Sequence, residues 1–238
     1  GGFASLQSLV LSAEGDAFVG FDGARGDGGV FAVSGLVATS KSPVDAVKTR
    51  IAGPRTGIVG PKGLALNAAA DRLFVADVGA GDLKVFAADA TGDAAPLFVV
   101  TELGGGPVWD IAYVDGDDRL FAAGTDGSVR VFDGFLVGEG GGGPGRVFVP
   151  TRAGAPVGVN LHGIHYDAAS DTLLVSDVGD TMSNDDGFVY IIADAGAADG
   201  EVDVQAMIGG AGTGLGNPVD LAFTGDALYI AEKAKSQV

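Results

Sequence analysis

Gly63-Leu64-Ala65-Leu66, followed after a short polar gap by Phe74-Val75-Ala76, is a two-part phrase that this chain of 238 residues repeats. The first part returns as Ser8-Leu9-Val10-Leu11, Asp110-Ile111-Ala112-Tyr113, Gly163-Ile164-His165-Tyr166 and Asp220-Leu221-Ala222-Phe223. The second returns as Phe18-Val19-Gly20, Phe121-Ala122-Ala123, Leu174-Val175-Ser176 and Tyr229-Ile230-Ala231. Successive copies start 55, 47, 53 and 57 residues apart. Two phrases held in register at such a period mark a repeat architecture.

Working outward from the second copy, short apolar runs alternate with turn chemistry. Strands are predicted at 63–67, 72–77, 82–87 and 96–100. The third copy predicts 109–114, 119–123, 128–133 and 146–150, and the fourth predicts 162–167, 172–177, 188–193 and 202–208. No segment holds a helical period, so the fold class is all-β. Asp27-Gly28, Asp126-Gly127 and Asp186-Gly187 each precede a third strand, where Asp-Gly supplies the positive φ of a tight hairpin. Four antiparallel strands per repeat are the blade of a β-propeller. The prediction is one propeller domain, 1–238, with blades near 6–52, 61–102, 107–151, 161–209 and a partial fifth at 217–238. Such rings close with about 4–8 blades. A longer parent chain with a sixth blade is one expectation. Closure of five blades by pairing of Gly1 to Ser5 into the last one is the other.

Pro61-Lys62-Gly63-Leu64-Ala65-Leu66 with Leu73-Phe74-Val75-Ala76-Asp77 and Leu83-Lys84-Val85-Phe86 resembles the NHL-type propeller repeat, as does Asn217-Pro218-Val219-Asp220-Leu221-Ala222-Phe223 with Leu228-Tyr229-Ile230-Ala231-Glu232. The resemblance covers most of the chain and concerns structural positions.

Composition narrows the partners. Acidic residues outnumber basic ones 31 to 14, a formal charge of −17, which repels nucleic acid and anionic membrane surfaces. No apolar run approaches the ~20 residues of a membrane helix. Cys is absent, which removes disulfides, thiolate metal sites and a Cys nucleophile. The run Gly138-Glu139-Gly140-Gly141-Gly142-Gly143-Pro144-Gly145 is a flexible connection, since no Lys-Ser/Thr follows it as in a phosphate-binding loop. No basic opening segment marks a signal peptide. The acidic composition and missing Cys nevertheless suggest an extracellular or periplasmic protein.

Comparing the copies separates structure from candidate chemistry. Leu9, Leu64, Ile111, Ile164 and Leu221 form a uniform column, as do Leu11, Leu66, Tyr113, Tyr166 and Phe223; both are expected to pack between blades. His165 interrupts a column of small residues and reads as a buried structural imidazole. The column before the first strand varies: Gln7, Lys62, Trp109, His162, Val219. First strands line a propeller's channel, so Lys62, Trp109 and His162, with Asp110 and Asp220 beside them, are the candidate ligand site at its mouth. A cation, an aromatic plate and a titratable ring suit a small anionic or sugar-like ligand, or a protein partner. The plainer reading is a solvated, unconstrained column.

The column ending the second strand reads Phe21, Asp77, Gly124, Asp177, Glu232, with Asp22 alongside. Asp77, Asp177 and Glu232 converging on an axis would repel unless a cation or hydrogen-bond donors neutralised them. Ca²⁺ is the cofactor such oxygens would take, with Asp180 and Asp185 in the acidic loop 177–187 as further candidate ligands. Alternatively, Asp77 and Asp177 cap the Asp-Val-Gly turns that follow them. No Gly-x-Ser-x-Gly elbow is present, and the two His residues are three apart on one strand. The leading expectation is therefore a non-enzymatic binding or protein-interaction module. The runner-up comes from a more distant resemblance, to the Ca²⁺-dependent gluconolactonase and lactonase propellers. It implies a metal held by Asp77, Asp177 and Glu232, with Asp220 or His162 as base. These columns lack the amide ligand of those families.

Overall fold

The computed structural model describes residues 3–23, 27–35, 47–180 and 182–238. The chain groups into two compact units, Gly1–Thr101 and Glu102–Val238. Each is built from four-stranded antiparallel sheets of the propeller-blade kind.

In the first unit, β1 (Phe3–Leu11), β2 (Ala17–Gly23), β3 (Gly28–Val33) and β4 (Val47–Ile51) form one sheet in sequence order. A second sheet follows, of β5 (Pro61–Leu66), β6 (Arg72–Asp77), β7 (Asp82–Ala87) and β8 (Phe98–Val100). In the second unit the third sheet holds β9 (Val108–Val114), β10 (Arg119–Gly124), β11 (Val129–Asp133) and β12 (Arg146–Arg152), with the short β13 (Ala155–Pro156) beyond β12. β14 (Leu161–Asp167), β15 (Thr172–Asp177) and β16 (Phe188–Ala193) open the fourth. Its predicted last strand, 202–208, is divided. β17 (Gly200–Asp203) pairs in parallel with β12 of the preceding blade, and only β18 (Ala206–Gly209) pairs with β16. The fifth copy forms a two-stranded sheet, β19 (Pro218–Phe223) and β20 (Leu228–Glu232). Among the described residues the structure thus holds four complete blades rather than five, and no helix long and apolar enough to cross a membrane.

The start of the chain departs from the closure expectation. Phe3 pairs with Gly23 and Ser5 with Asp22, so residues 3–5 extend the first strand of their own blade. Gly1 and Gly2 lie outside the described residues.

Apolar burial explains the strand faces. Leu64, Ile111, Ile164 and Leu221 are buried, as their column predicts, and Leu64, Ile164 and Leu221 pack between neighbouring sheets of their own unit. Each contributes about 1.5–3 kcal/mol. Leu9, in the same column, is 50% exposed, as is Leu11 at 46%. In the other column, Tyr113 and Tyr166 are half-buried and donate their hydroxyls to Asp118 and Asp171, 2.9 Å each. Those aspartates occupy the left-handed region that closes the turn before each second strand, at φ 48° and 50°.

The Asp-Gly turns are only partly turns. Gly127 has φ 79°, as a tight hairpin requires, but Gly28 and Gly187 do not adopt positive φ. They are small for another reason. A Cβ on Gly28 would lie 2.7 Å from the Val59 carbonyl oxygen and the Pro61 ring, and one on Gly187 would collide with Pro218 and Gly216. The start of a third strand abuts the loop leading into the next sheet, and backbone must touch backbone there.

Candidate functional site

The ends of the second strands are where the sequence places carboxylates. There the structure shows a repeated clamp. Asp77 accepts the amides of Val59, Gly60 and Ala80 at 2.9, 2.8 and 3.1 Å. Asp177 accepts those of Val159, Asn160 and Gly179 at 2.8–2.9 Å. Glu232 accepts those of Gly216, Asn217 and Ala234 at 2.8–3.0 Å. All three residues are buried. In each case the carboxylate, at the end of a second strand, ties down the two residues before its own first strand. Donation by several amides satisfies a buried carboxylate without a cation, and for Glu232 these bonds hold the carboxyl below its ordinary pKa against the opposing effect of burial.

A third-strand residue completes two of these clamps, which sequence reasoning missed. The Lys84 ammonium reaches Asp77 at 2.9 Å and also pairs with Asp82. Tyr190 donates to Asp177 at 3.0 Å or to the Val157 carbonyl at 2.7 Å; burial, then the Asp177 charge, raises its phenol. The first blade has Phe21 at the rim position, and the third departs from the clamp too. Its rim residue is Gly124, and the position of the second clamped amide is Pro107, which has no N–H. Acceptor and donor are lost together. Asp126 takes the remaining amide, from Gly106, at 2.8 Å, and pairs with Arg130 at 2.5 Å. The fully buried Arg130 guanidinium occupies the space a side chain at Gly124 would need.

The acidic loop after β15 is organised internally. Asp180 accepts the Met182 amide at 2.9 Å and Asp185 the Ser183 hydroxyl at 2.9 Å, both on exposed side chains. Among the described residues no group of three or more His, Asp or Glu stands close enough to hold a metal ion. Asp77, Asp177 and Glu232 each serve their own blade.

The variable column before the first strands is brought together in pairs. In the first unit Gln7 and Lys62 both donate to Asp22 Oδ2, at 2.6 and 2.9 Å. In the second unit the rings of Trp109 and His162 stack face to face, 3.7 Å apart at 11°. His162 is 7% exposed, and its Nδ1 has no hydrogen-bond partner. Burial, aided by the nearby Lys233 ammonium, lowers its pKa to about 4, so the ring is neutral at physiological pH. His165, half-buried, meets Phe223 edge-on at 6.1 Å.

Beside them lies a carboxylate pair. Asp110 on β9 accepts the Ile164 amide of β14 at 3.1 Å, and Asp220 on β19 accepts the Leu221 amide at 2.8 Å. Between them runs Gly163, where a Cβ would lie 2.6 Å from the Asp220 Cα. Burial raises both carboxyls, and for Asp110 the charge of Asp220 adds to the effect. A carboxyl whose pKa is raised on folding costs nothing below the ordinary carboxylate value, and its penalty grows as pH rises toward the folded value. Asp220→Asn keeps an acceptor for Leu221 and removes the charge. It is therefore expected to raise the Tm at pH 7, with the gain fading as pH falls to about 4. Melting curves across pH check this; a Tm difference independent of pH would refute it.

No family model matches the chain, and no curated protein matches it in sequence. Solved structures do. Hydrazine synthase of Kuenenia stuttgartiensis is similar at 14% identity and TM-score 0.63, over 95% of this chain and 54% of that one. A chain of a nidogen/laminin complex is similar at 16% identity and TM-score 0.63, over 95% of this chain and 72% of that one. The present chain thus spans about half the length of the first. The shared architecture is the β-propeller, which hosts unrelated functions.

Proposed function

We propose that the chain is a non-enzymatic binding module, one propeller domain over 1–238, recognising a protein or small-molecule ligand at the ends of its first strands. The observation that carries this reading is the amide occupancy of Asp77, Asp177 and Glu232. The carboxylates that a Ca²⁺-dependent lactonase-like hydrolase would require already hold loop backbone in place. The Trp109–His162 pair, with Asp110 and Asp220 beside it, gives the second unit polar and aromatic groups suited to recognition; Lys62, held on Asp22, belongs to the first unit. The nidogen/laminin neighbour, a protein complex by its title, supports the interaction reading by analogy. NHL kinship rests on the motif phrases, and β19–β20 counts as the inner half of a fifth blade because its pairing of Asp220 with Ala231 repeats that of Asp110 with Ala123. The acidic, Cys-free composition supports export.

Calorimetric titration with Ca²⁺ tests the choice. The binding-module reading expects no heat and no change in Tm. Saturable heat with a higher Tm and Ca²⁺-dependent hydrolysis of a lactone would replace it with the hydrolase.

A further inference from the structure

We propose that the chain associates with a second copy of itself, the Tyr229 side of the fifth sheet in one copy covering the Leu9–Leu11 side of the first sheet in the other. This surface is distinct from the first-strand ends of the proposed ligand site, and the inference does not rest on that reading.

One contact is built three times inside the chain. Residues directly opposite each other across a strand pair share a face, and successive residues alternate between faces. In the first sheet Val10 and Phe18 stand on one face, and that face meets Leu64 and Leu66 of the second sheet. Ala112 and Phe121 of the third sheet meet Ile164 and Tyr166 of the fourth in the same way, with the Phe121 and Tyr166 rings 4.9 Å apart. His165 and Leu174 of the fourth meet Leu221 and Phe223 of the fifth, with His165 edge-on to Phe223. The repeated columns are thus two halves of one joint. Phe18, Phe121 and Leu174 supply one half, and Leu64, Ile164 and Leu221 the other.

Among the described residues each half stands open once. Tyr229 continues the column of Phe18, Phe74, Phe121 and Leu174, all of them buried, yet Tyr229 is 54% exposed, and Ala222 opposite it is exposed as well. Leu9 continues the other column and is 50% exposed. Leu11 at 46% and Leu6 at 60% share its face, since they stand opposite Ala17 and Phe21 as Leu9 stands opposite Val19. The two open halves are of opposite kind, so one completes the other. Contiguous exposed apolar side chains mark interaction sites, and tyrosine is enriched in them. A contact between unlike faces is heterologous, so it closes into a ring or extends into a filament. The formal charge of −17 opposes the approach of two copies, and added salt screens it.

Light scattering on a sizing column, in ~1 M sodium chloride and from about 1 to 100 μM protein, reads the mass. The wild-type chain is expected to exceed the mass of one copy, increasingly with concentration. Leu9→Glu and Tyr229→Glu each place a charge on one half and should weaken association at least about tenfold. Mixed in equal amounts, the two variants retain one intact half each, so they are expected to form dimers and nothing larger. Val137→Glu, 90% exposed in the loop after β11, should assemble as the wild type does. Should a face variant fail to fold, Leu11→Glu takes the place of the first and Ala222→Glu that of the second. A wild-type chain that remains a single copy throughout, a face variant that assembles like the wild type, a mixture that remains monomeric, or loss of assembly in Val137→Glu overturns the contact. None of these results bears on the Ca²⁺ titration, which judges the binding-module reading.

Discussion

Asp177→Ala is expected to lower stability by about 3–5 kcal/mol, because it strips the acceptor from several buried donors at once. The carboxylate receives three loop amides at 2.8–2.9 Å and the Tyr190 hydroxyl at 3.0 Å. Alanine supplies neither acceptor nor volume, and the site lies inside the fourth blade. Domains are stable by only about 5–15 kcal/mol, so the variant should be marginal. Urea unfolding measures it as a lower midpoint at a nearly unchanged slope. Tyr190→Phe, which removes one hydroxyl and leaves the amides paired, should cost about 1 kcal/mol. A loss below about 1 kcal/mol for Asp177→Ala would mean that water replaces the carboxylate, and the clamp would not matter to stability.

Gly163→Ala should be nearly as damaging, at about 3 kcal/mol, through overpacking against backbone. Its Cβ would stand 2.6 Å from the Asp220 Cα and 2.9 Å from the Leu221 nitrogen. Neither atom is the end of a flexible side chain, so β14 and β19 would have to separate along their length. That separation would also disturb the Asp110–Ile164 hydrogen bond. Gly116→Ala is the control, since its Cβ would meet nothing within 4 Å. If both variants unfold at the same urea concentration, the close approach of the two strands is not a constraint.

The strands were readable because their signals are local. The runs 72–77, 82–87, 172–177 and 188–193 are apolar and bounded by turn residues, and the structure has strands with those bounds. The division at 202–208 was not readable. Val202 belongs to β17, which pairs with β12 some fifty residues away, and no local pattern encodes that partner. Glycine was misread in part, since the same Asp-Gly pair serves φ at Gly127 and close contact at Gly28 and Gly187. In the candidate site, the aligned columns pointed to Trp109 and His162, whose rings stack. Lys84 and Arg130 carried a visible signal, a cation inside an otherwise apolar strand, and so did the coincident Pro107 and Gly124.

Each rim carboxylate reaches back only to the segment that leads into its own sheet, so the fastening closes within a single copy of the repeat. A duplicated or transplanted copy would arrive with its own latch, and the latches of the other copies would stay shut. The third copy, which has Asp126 and a buried guanidinium in place of the rim acid, illustrates the freedom this grants: its latch differs while the second, fourth and fifth copies keep theirs.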